Sequence, residues 1–316
     1  MTNFALLISP AARGAYFADT HAVARQEASG VAGVDLGEIE TIGGMDFLFA
    51  SCGEARLADL MRLSFAQGIF RVDGPNWQPI EASAGFLLHP DFVSGEKYRG
   101  KTNEMLTQLL VNIALQEADT GNDALRVIDP MCGRGTSLFW AMRYGLSATG
   151  IEQDPSALNE VRRGLKKWTK LHRQKHKLSD GWVQKSNKKG IGKYLDFQAE
   201  GQSVRIVTGD TVQARDLLGK RPFDLLVTDI PYGVQHMGGA DGARSPLAVI
   251  QKAAAGWAAC LAPGGVMAIA YNCNIPKRDE MFAAFDGLGL EVLERNVAHR
   301  MSESIVRDVL VLRKPT

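Results

Sequence analysis

Residues 127–136, VIDPMCGRGT, constrain the fold more than any other stretch of the chain. Val127 and Ile128 have the apolar, β-branched character of a buried strand end, and Asp129 and Pro130 stop that strand. Gly133 and Gly135 then allow a turn in which backbone approaches a ligand with no Cβ in the way. The stretch from Thr136 to Arg143 has helical character. A strand, a glycine turn and a helix start belong to an open α/β sheet, where backbone N–H groups and the helix N-terminus converge on a small molecule.

Two details argue against a dinucleotide. The third glycine of GxGxxG falls at Leu138, and Asp129 would repel a pyrophosphate while accepting hydrogen bonds from a cationic amine. The acid expected at the end of the next strand is Glu152, in ATGIEQD, placed to accept from two ribose hydroxyls. A ligand with a ribose, no phosphate and a cationic amino-acid tail suits this set, and S-adenosylmethionine is such a ligand.

A second motif, DIPYG at Asp229 to Gly233, follows an apolar strand at Phe223 to Thr228. VIDPMCGRGT, Glu152 and DIPYG together resemble the class I methyltransferases that methylate exocyclic amino groups of bases. The similarity is greatest to the branch of tRNA and ribosomal RNA guanosine methyltransferases that often carry a THUMP domain, and it covers roughly residues 90–316. The resemblance implies a Rossmann-like, seven-stranded methyltransferase sheet ending in an antiparallel hairpin, with S-adenosylmethionine as cofactor and RNA, tRNA or rRNA, as partner. Implied cofactor contacts are Asp129, Pro130, Cys132, Gly133, Gly135, Thr136 and Glu152, with Asp210 and Thr211 of VTGDT beside the adenine.

The chain's own letters agree with an α/β class. Apolar strands are expected at Arg126 to Asp129, Ser147 to Glu152, Val204 to Thr208, Phe223 to Thr228 and Gly265 to Asn272, joined by helical crossovers and therefore parallel. Glu291 to Ala298 and Arg307 to Arg313, joined by the polar Arg300 to Ser304, are expected to pair antiparallel. Ahead of these, residues 1–90 predict a small α+β domain that resembles the ferredoxin-like domain preceding THUMP, without room for a full THUMP domain. The methyltransferase domain would occupy residues 91–316. Met105, Leu106, Leu109, Leu110 and Ile113 predict an amphipathic helix, with Thr102 or Asn103 as its N-cap.

Net charge is only +1, but its distribution is uneven. Residues 166–193 hold ten Lys or Arg against Asp180 alone, a local +9, so the rest of the chain carries −8. This run opens an insertion, 166–203, with Trp168, Trp182 and Tyr194 interspersed, and part of it is expected to be mobile. Basic residues with aromatics on an otherwise acidic chain suggest a polyanion. Lys166, Lys167, Lys170 and Arg173, with Lys97, Arg99 and Lys101 of EKYRGK, are the candidate substrate contacts. No apolar run approaches a spanning helix or a secretory signal, so a cytoplasmic protein is expected. Four scattered cysteines show no CxxC pair and no Cys/His cluster, so they are expected to be free thiols, with no metal.

For the chemistry, an exocyclic amine is a poor nucleophile because its lone pair is delocalised into the ring. Asp229 and the carbonyl of Ile230 would accept its two N–H bonds, Pro231 would fix the turn, and Tyr232 would stack on the base. The family has proline where this chain has Ile230; the acceptor is a backbone oxygen, so the chemistry survives the change. Val234 to Ser245, glycine-rich, is a candidate lid. Rival readings are a DNA amino-methylase, a protein-glutamine methylase, and a non-catalytic RNA-binding module on the same scaffold.

Overall fold

The computed structural model describes residues 1–16, 19–98, 100–183, 191–231, 245–295, 297–302 and 305–316. The N-terminal part runs β1 (Thr2–Ile8), α1 (Ala12–Tyr16), α2 (Thr20–Ala32), β2 (Leu36–Ile42), β3 (Met45–Cys52), α3 (Leu57–Met61), β4 (Ala66–Asp73) and β5 (Asn76–Ile80). Its strands form an antiparallel sheet in the order β2-β3-β1-β4-β5. Helices and antiparallel strands are mixed here, as an α+β reading of residues 1–90 expects, and β2 and β5 close the sheet on its two sides. Both are edge strands: β2 is exposed at most of its positions, and β5 has no buried residue. The helical part consists of α1, α2 and, after a 3-10 turn at Glu54–Arg56, α3.

The second part continues with α4 (Asp91–Ser94), α5 (Glu104–Glu117), β6 (Arg126–Asp129), α6 (Thr136–Arg143), β7 (Ser147–Glu152), α7 (Pro155–Leu171), β8 (Lys177–Val183), β9 (Gly192–Ala199) and β10 (Gln202–Thr208). It ends with α8 (Ala214–Leu218), β11 (Phe223–Asp229), α9 (Pro246–Cys260), β12 (Leu261–Asn272), α10 (Arg278–Ala283), β13 (Glu291–Val292), β14 (His299–Ser302) and β15 (Ile305–Arg313). The sheet order is β13-β15-β12-β11-β6-β7-β10-β9-β8, with β14 on β15. The five expected parallel strands are all present and pair parallel from β10 through β12.

Among the described residues this sheet has ten strands, against the expected seven. The insertion begins as the last turns of α7 and then folds into the β8-β9 hairpin, which extends the sheet antiparallel from β10. Of the sixth expected strand, Glu291 to Ala298, the described residues keep only β13, and β14 lies beyond it, with Arg300 to Ser302 of the expected connector forming most of it. Both pieces pair antiparallel with β15, as does β12, so the antiparallel C-terminal expectation holds.

Residues of the central strands alternate between two cores, as period-2 strands buried on both faces must. Val127, Leu225 and Ala268 face one core, while Ile128, Leu226 and Met267 face the other, where α9 brings Ile250, Ala254 and Trp257. The first core continues without a break into the N-terminal sheet through Phe4, Leu6 and Leu48. Helix α5 lies between, which corrects its expected amphipathic character: Leu106 through Ala114 are buried, packed on β11 and β12 and on α2. Asn103 is its N-cap, its side chain accepting from the backbone N–H groups of Met105 and Leu106.

A buried polar cluster joins the layers. The carboxylate of Glu27 on α2 accepts from Ser64 N (2.9 and 3.0 Å), Ser64 Oγ (2.7 Å) and Asn112 Nδ2 of α5 (2.6 Å). Burial outweighs these bonds and pushes the Glu27 carboxyl from 4.5 up to about 7. The folded state thus favours the neutral acid. That contribution to stability is complete below pH 4.5 and is lost as pH rises through about 7. The thermal midpoint should therefore fall between pH 5 and 8, and Glu27→Gln should flatten the fall; an unchanged slope in the variant would exclude Glu27 as its source.

Candidate functional site

The strand order places a crevice. From β6 the chain proceeds outward through β7 to β10, then returns to the other side of β6 for β11 and β12. The direction reverses between β6 and β11, and at such a switch point the loops leaving the carboxyl ends diverge and open a ligand crevice. Asp129 ends β6 and Asp229 ends β11. Glu152 ends β7, and Asp210 lies just beyond β10. Four neighbouring strands therefore each deliver a carboxylate to one end of the sheet.

The glycine turn has the conformation its letters require. Gly133 (φ 53°) and Gly135 (φ 84°) are left-handed, and Gly135 N–H donates to Cys132 O at 2.7 Å, while Cys132 N–H donates to Ile151 O at 3.0 Å and ties the turn to β7. A further glycine, passed over in the sequence, makes this possible. At Gly150 a Cβ would stand 2.5 Å from Cys132 Sγ and 2.7 Å from Leu138 Cδ1. A glycine inside a strand is the signal that could have found it.

Asp129 organises the turn. One oxygen accepts from Met131 N–H at 2.9 Å and the other from Ser137 Oγ. Burial drives its pKa from 3.8 to about 6 against these bonds, and the charge of Asp229 adds to the rise. Pro130 and Cys132 are buried beside it. Burial, then the charges of Asp129 and Glu152, push the Cys132 thiol well up, so it is neutral packing and no nucleophile. Thr136 is buried and, with Tyr98, lines the cavity beside the turn. All four cysteines are free, as expected.

Glu152 is partly exposed, and one oxygen accepts from Asp154 N–H at 2.7 Å, which fixes the carboxylate while its second oxygen stays available to a hydroxyl. Asp210 caps the following turn by accepting from Val212 N–H at 3.0 Å. Thr211 is buried and its hydroxyl accepts from Trp257 Nε1 at 3.0 Å, so its side chain serves the fold.

Asp229 has a partner that sequence reading missed. Arg307 on β15 reaches across β12 to place a guanidinium nitrogen 3.6 Å from Asp229 Oδ2, with both side chains almost wholly buried. Ile230 N–H donates to Ala270 O at 2.9 Å, and its side chain joins the core. A proline at this position would lack that donor. Pro231 is partly exposed; Tyr232 and the candidate lid, except Ser245, lie outside the described residues.

Beside the glycine turn, a cavity of about 420 Å³ lies between residues 92–101 and helices α6 and α7, lined by Phe92, Tyr98, Arg134, Thr136, Phe139 and Trp168 among others. Lys97 is an exposed wall residue. Lys101 is not a free cation: its ammonium donates to Val93 O (2.7 Å), Glu96 O (2.8 Å) and Glu104. Arg99 lies outside the described residues. Lys166, Lys167, Lys170 and Arg173 are exposed along and just past α7, with Lys167 2.9 Å from Glu96. Of the aromatics in the basic run, Trp168 is core, whereas Trp182 on β8 is exposed with Lys193 Nζ 5.2 Å from its ring centre.

No family model and no curated protein matches the sequence. Among solved structures, the chain is similar to TrmN from Thermus thermophilus at 16% identity and a TM-score of 0.47, over 89% of this chain and 60% of that one. It thus spans about three fifths of that protein's length. It is also similar to the rRNA methyltransferase aviRa from Streptomyces viridochromogenes (17% identity, TM-score 0.43, 69% of this chain and 88% of that one). A TehB-like SAM-dependent methyltransferase from Corynebacterium glutamicum matches at 13% identity and a TM-score of 0.38, over 66% and 85% of the two chains. Among the described residues, no helix is long and apolar enough to cross a membrane.

Proposed function

We propose that this protein is an S-adenosylmethionine-dependent methyltransferase acting on an exocyclic amino group of a base in RNA, most specifically guanosine in tRNA. The observation that carries the reading is the juxtaposition, across one topological switch point, of a left-handed glycine turn with Asp229. The residues fit that cofactor. Four strand-end carboxylates make a crevice suited to a cationic ligand and hostile to a phosphate, and Gly133, with open space where a Cβ would be, leaves room for close backbone approach. Bound there, the cofactor would supply an electrophilic methyl group on a sulfonium.

The chain's own groups would do the rest. The free oxygen of Glu152 would accept from ribose hydroxyls, and Asp210 from the adenine amine. Asp229 and the Ile230 carbonyl would hold the target nitrogen by its N–H groups, localising its lone pair as the nitrogen–carbon bond forms and the carbon–sulfur bond breaks. The nitrogen then sheds a proton to Asp229 or solvent. A base stacked in a helix cannot enter such a crevice, so the target would be flipped or single-stranded.

We read the N-terminal sheet, βαββαβ with β5 added, as the ferredoxin-like unit, and residues 1–90 and 91–316 as the two domains, sharing one core. The basic face of α7 and the exposed Trp182 would meet the RNA backbone and bases. Charge reversal at Lys166, Lys167, Lys170 and Arg173 should weaken RNA binding and flatten its salt dependence by about 0.7 in log–log slope per lost contact. Unchanged affinity in a filter-binding titration would return this face to solvent.

The test of the whole reading is transfer of labelled methyl from the cofactor to tRNA, ribosomal RNA and duplex DNA, with mass spectrometry of nucleosides from total RNA with and without the protein. A methylated guanosine that depends on the protein supports it. Transfer only to DNA or to protein glutamine would overturn the RNA assignment, and cofactor binding without transfer to any substrate would leave a binding module.

A further inference from the structure

The sequence holds six histidines, of which His172 and His176 fall at the H-x3-H spacing of metal ligands, yet the fold brings His172 together with His89 at one carboxylate instead. His89 precedes α4, Asp91 begins it, and His172 follows the last turn of α7. Asp91 Oδ2 is 2.8 Å from His172 Nε2 and 3.4 Å from His89 Nδ1, and one ligating atom from each of the three residues falls within 4.8 Å of the others. We propose that His89, Asp91 and His172 bind a divalent ion of the zinc class, independently of the methyl-transfer reading.

The donor set favours that class. Two imidazoles and a carboxylate are borderline ligands that suit zinc better than magnesium or calcium, which take oxygen shells. At metal–ligand distances of about 2.0–2.2 Å, neighbouring ligand atoms of a tetrahedron stand roughly 3.3–3.5 Å apart. The Asp91–His89 edge already has that length, and the Asp91–His172 edge has only to open slightly. The imidazoles are now stacked, with centroids 3.6 Å apart and planes at 18°. Loading would fan the rings apart so that both lone-pair directions meet at the ion. His89, with about half its side chain exposed (47%), has space to turn, whereas His172, 20% exposed and next to Trp168 and Phe92, is the anchored member. Three protein ligands leave a fourth position for water.

The location gives the ion a consequence. Phe92 and Val93, next after Asp91, line one wall of the 420 Å³ cavity, and Trp168, one turn before His172, lines another. An ion held across these two elements would clamp the walls together. None of Asp129, Glu152 or Asp229 lines that cavity, so the clamp would act on cavity shape rather than on the reacting atoms.

The full chain, stripped with a chelator, should be titrated with Zn²⁺ by calorimetry and with Co²⁺ by visible absorption. We expect one ion per chain, a tetrahedral Co²⁺ spectrum, and a melting midpoint raised by Zn²⁺. Binding should weaken by about 10-fold or more in His172→Ala and in His89→Ala. His89→Ala alters an exposed residue and keeps the test valid should His172→Ala fold poorly. His176→Ala, at an exposed histidine outside the cluster, should bind as the parent does. Absence of stoichiometric binding, or binding indifferent to both cluster variants, overturns the site.

Discussion

Asp229→Asn should lower the methyl-transfer rate by about 10²- to 10³-fold, the size of effect seen when one preorganised hydrogen-bonding group at a reacting centre is lost. Asparagine keeps the shape and one acceptor oxygen but gives up the charge, and its amide can turn N–H groups toward an amine that offers only N–H groups in return. The interaction strengthens as the nitrogen becomes pyramidal, so kcat and kcat/KM should fall together, while cofactor affinity measured by calorimetry stays within about 3-fold. Asp229 also sits 3.6 Å from the buried Arg307, so melting curves must accompany the kinetics to separate lost chemistry from lost fold. A folded Asp229→Asn protein with activity within a few-fold of the parent would remove Asp229 from the proposed mechanism.

What the sequence disclosed depended on how locally each feature is determined. The glycine elbow is encoded within ten residues, and the structure has it with both glycines left-handed. The parallel strands announced themselves as apolar runs because both of their faces are covered. The β8-β9 hairpin did not: KLSDGWV in β8 has no buried residue, and a strand exposed at a sheet edge carries no alternating apolar signal. Helix α5 showed only the stripe that faces the sheet, because its polar Gln108 and Asn112 hide a second contact, which they make by donating to Arg62 O at 2.8 and 2.9 Å. His89 and Asp91 meet His172 only through the packing of α4 on α7. The charge pattern was legible as composition but not as position. Trp168, in the basic run, turned inward and Trp182 outward, which a helical period through α7 separates from a strand beyond it.

Arg307 was least visible of all, because its role depends on three strands and their register. Asn272 stands opposite Arg307 between β12 and β15, and Ala270 opposite Asp229 between β12 and β11, so the two charges approach over the top of β12. Removing one member of a buried ion pair leaves the other desolvated and uncompensated, a loss of about 3–5 kcal/mol. Here the loss should be at the upper end, since Asp129, itself pushed up to about 6, already feels the charge of Asp229. Arg307→Met should therefore lower the unfolding free energy from denaturant titration by that amount at neutral pH and bring methyl transfer down with it. The pairing is separated from simple packing by the double variant. In the Arg307→Met background, Asp229→Asn removes the carboxylate that has lost its cation, so it should restore roughly 1–3 kcal/mol of stability even though the same change costs stability in the parent. Activity should not return, because the carboxylate that would hold the amine is gone in both. Additive losses in that cycle would mean that Asp229 and Arg307 are neighbours without being partners, and the electrostatic account of the crevice would have to rest on the other strand ends.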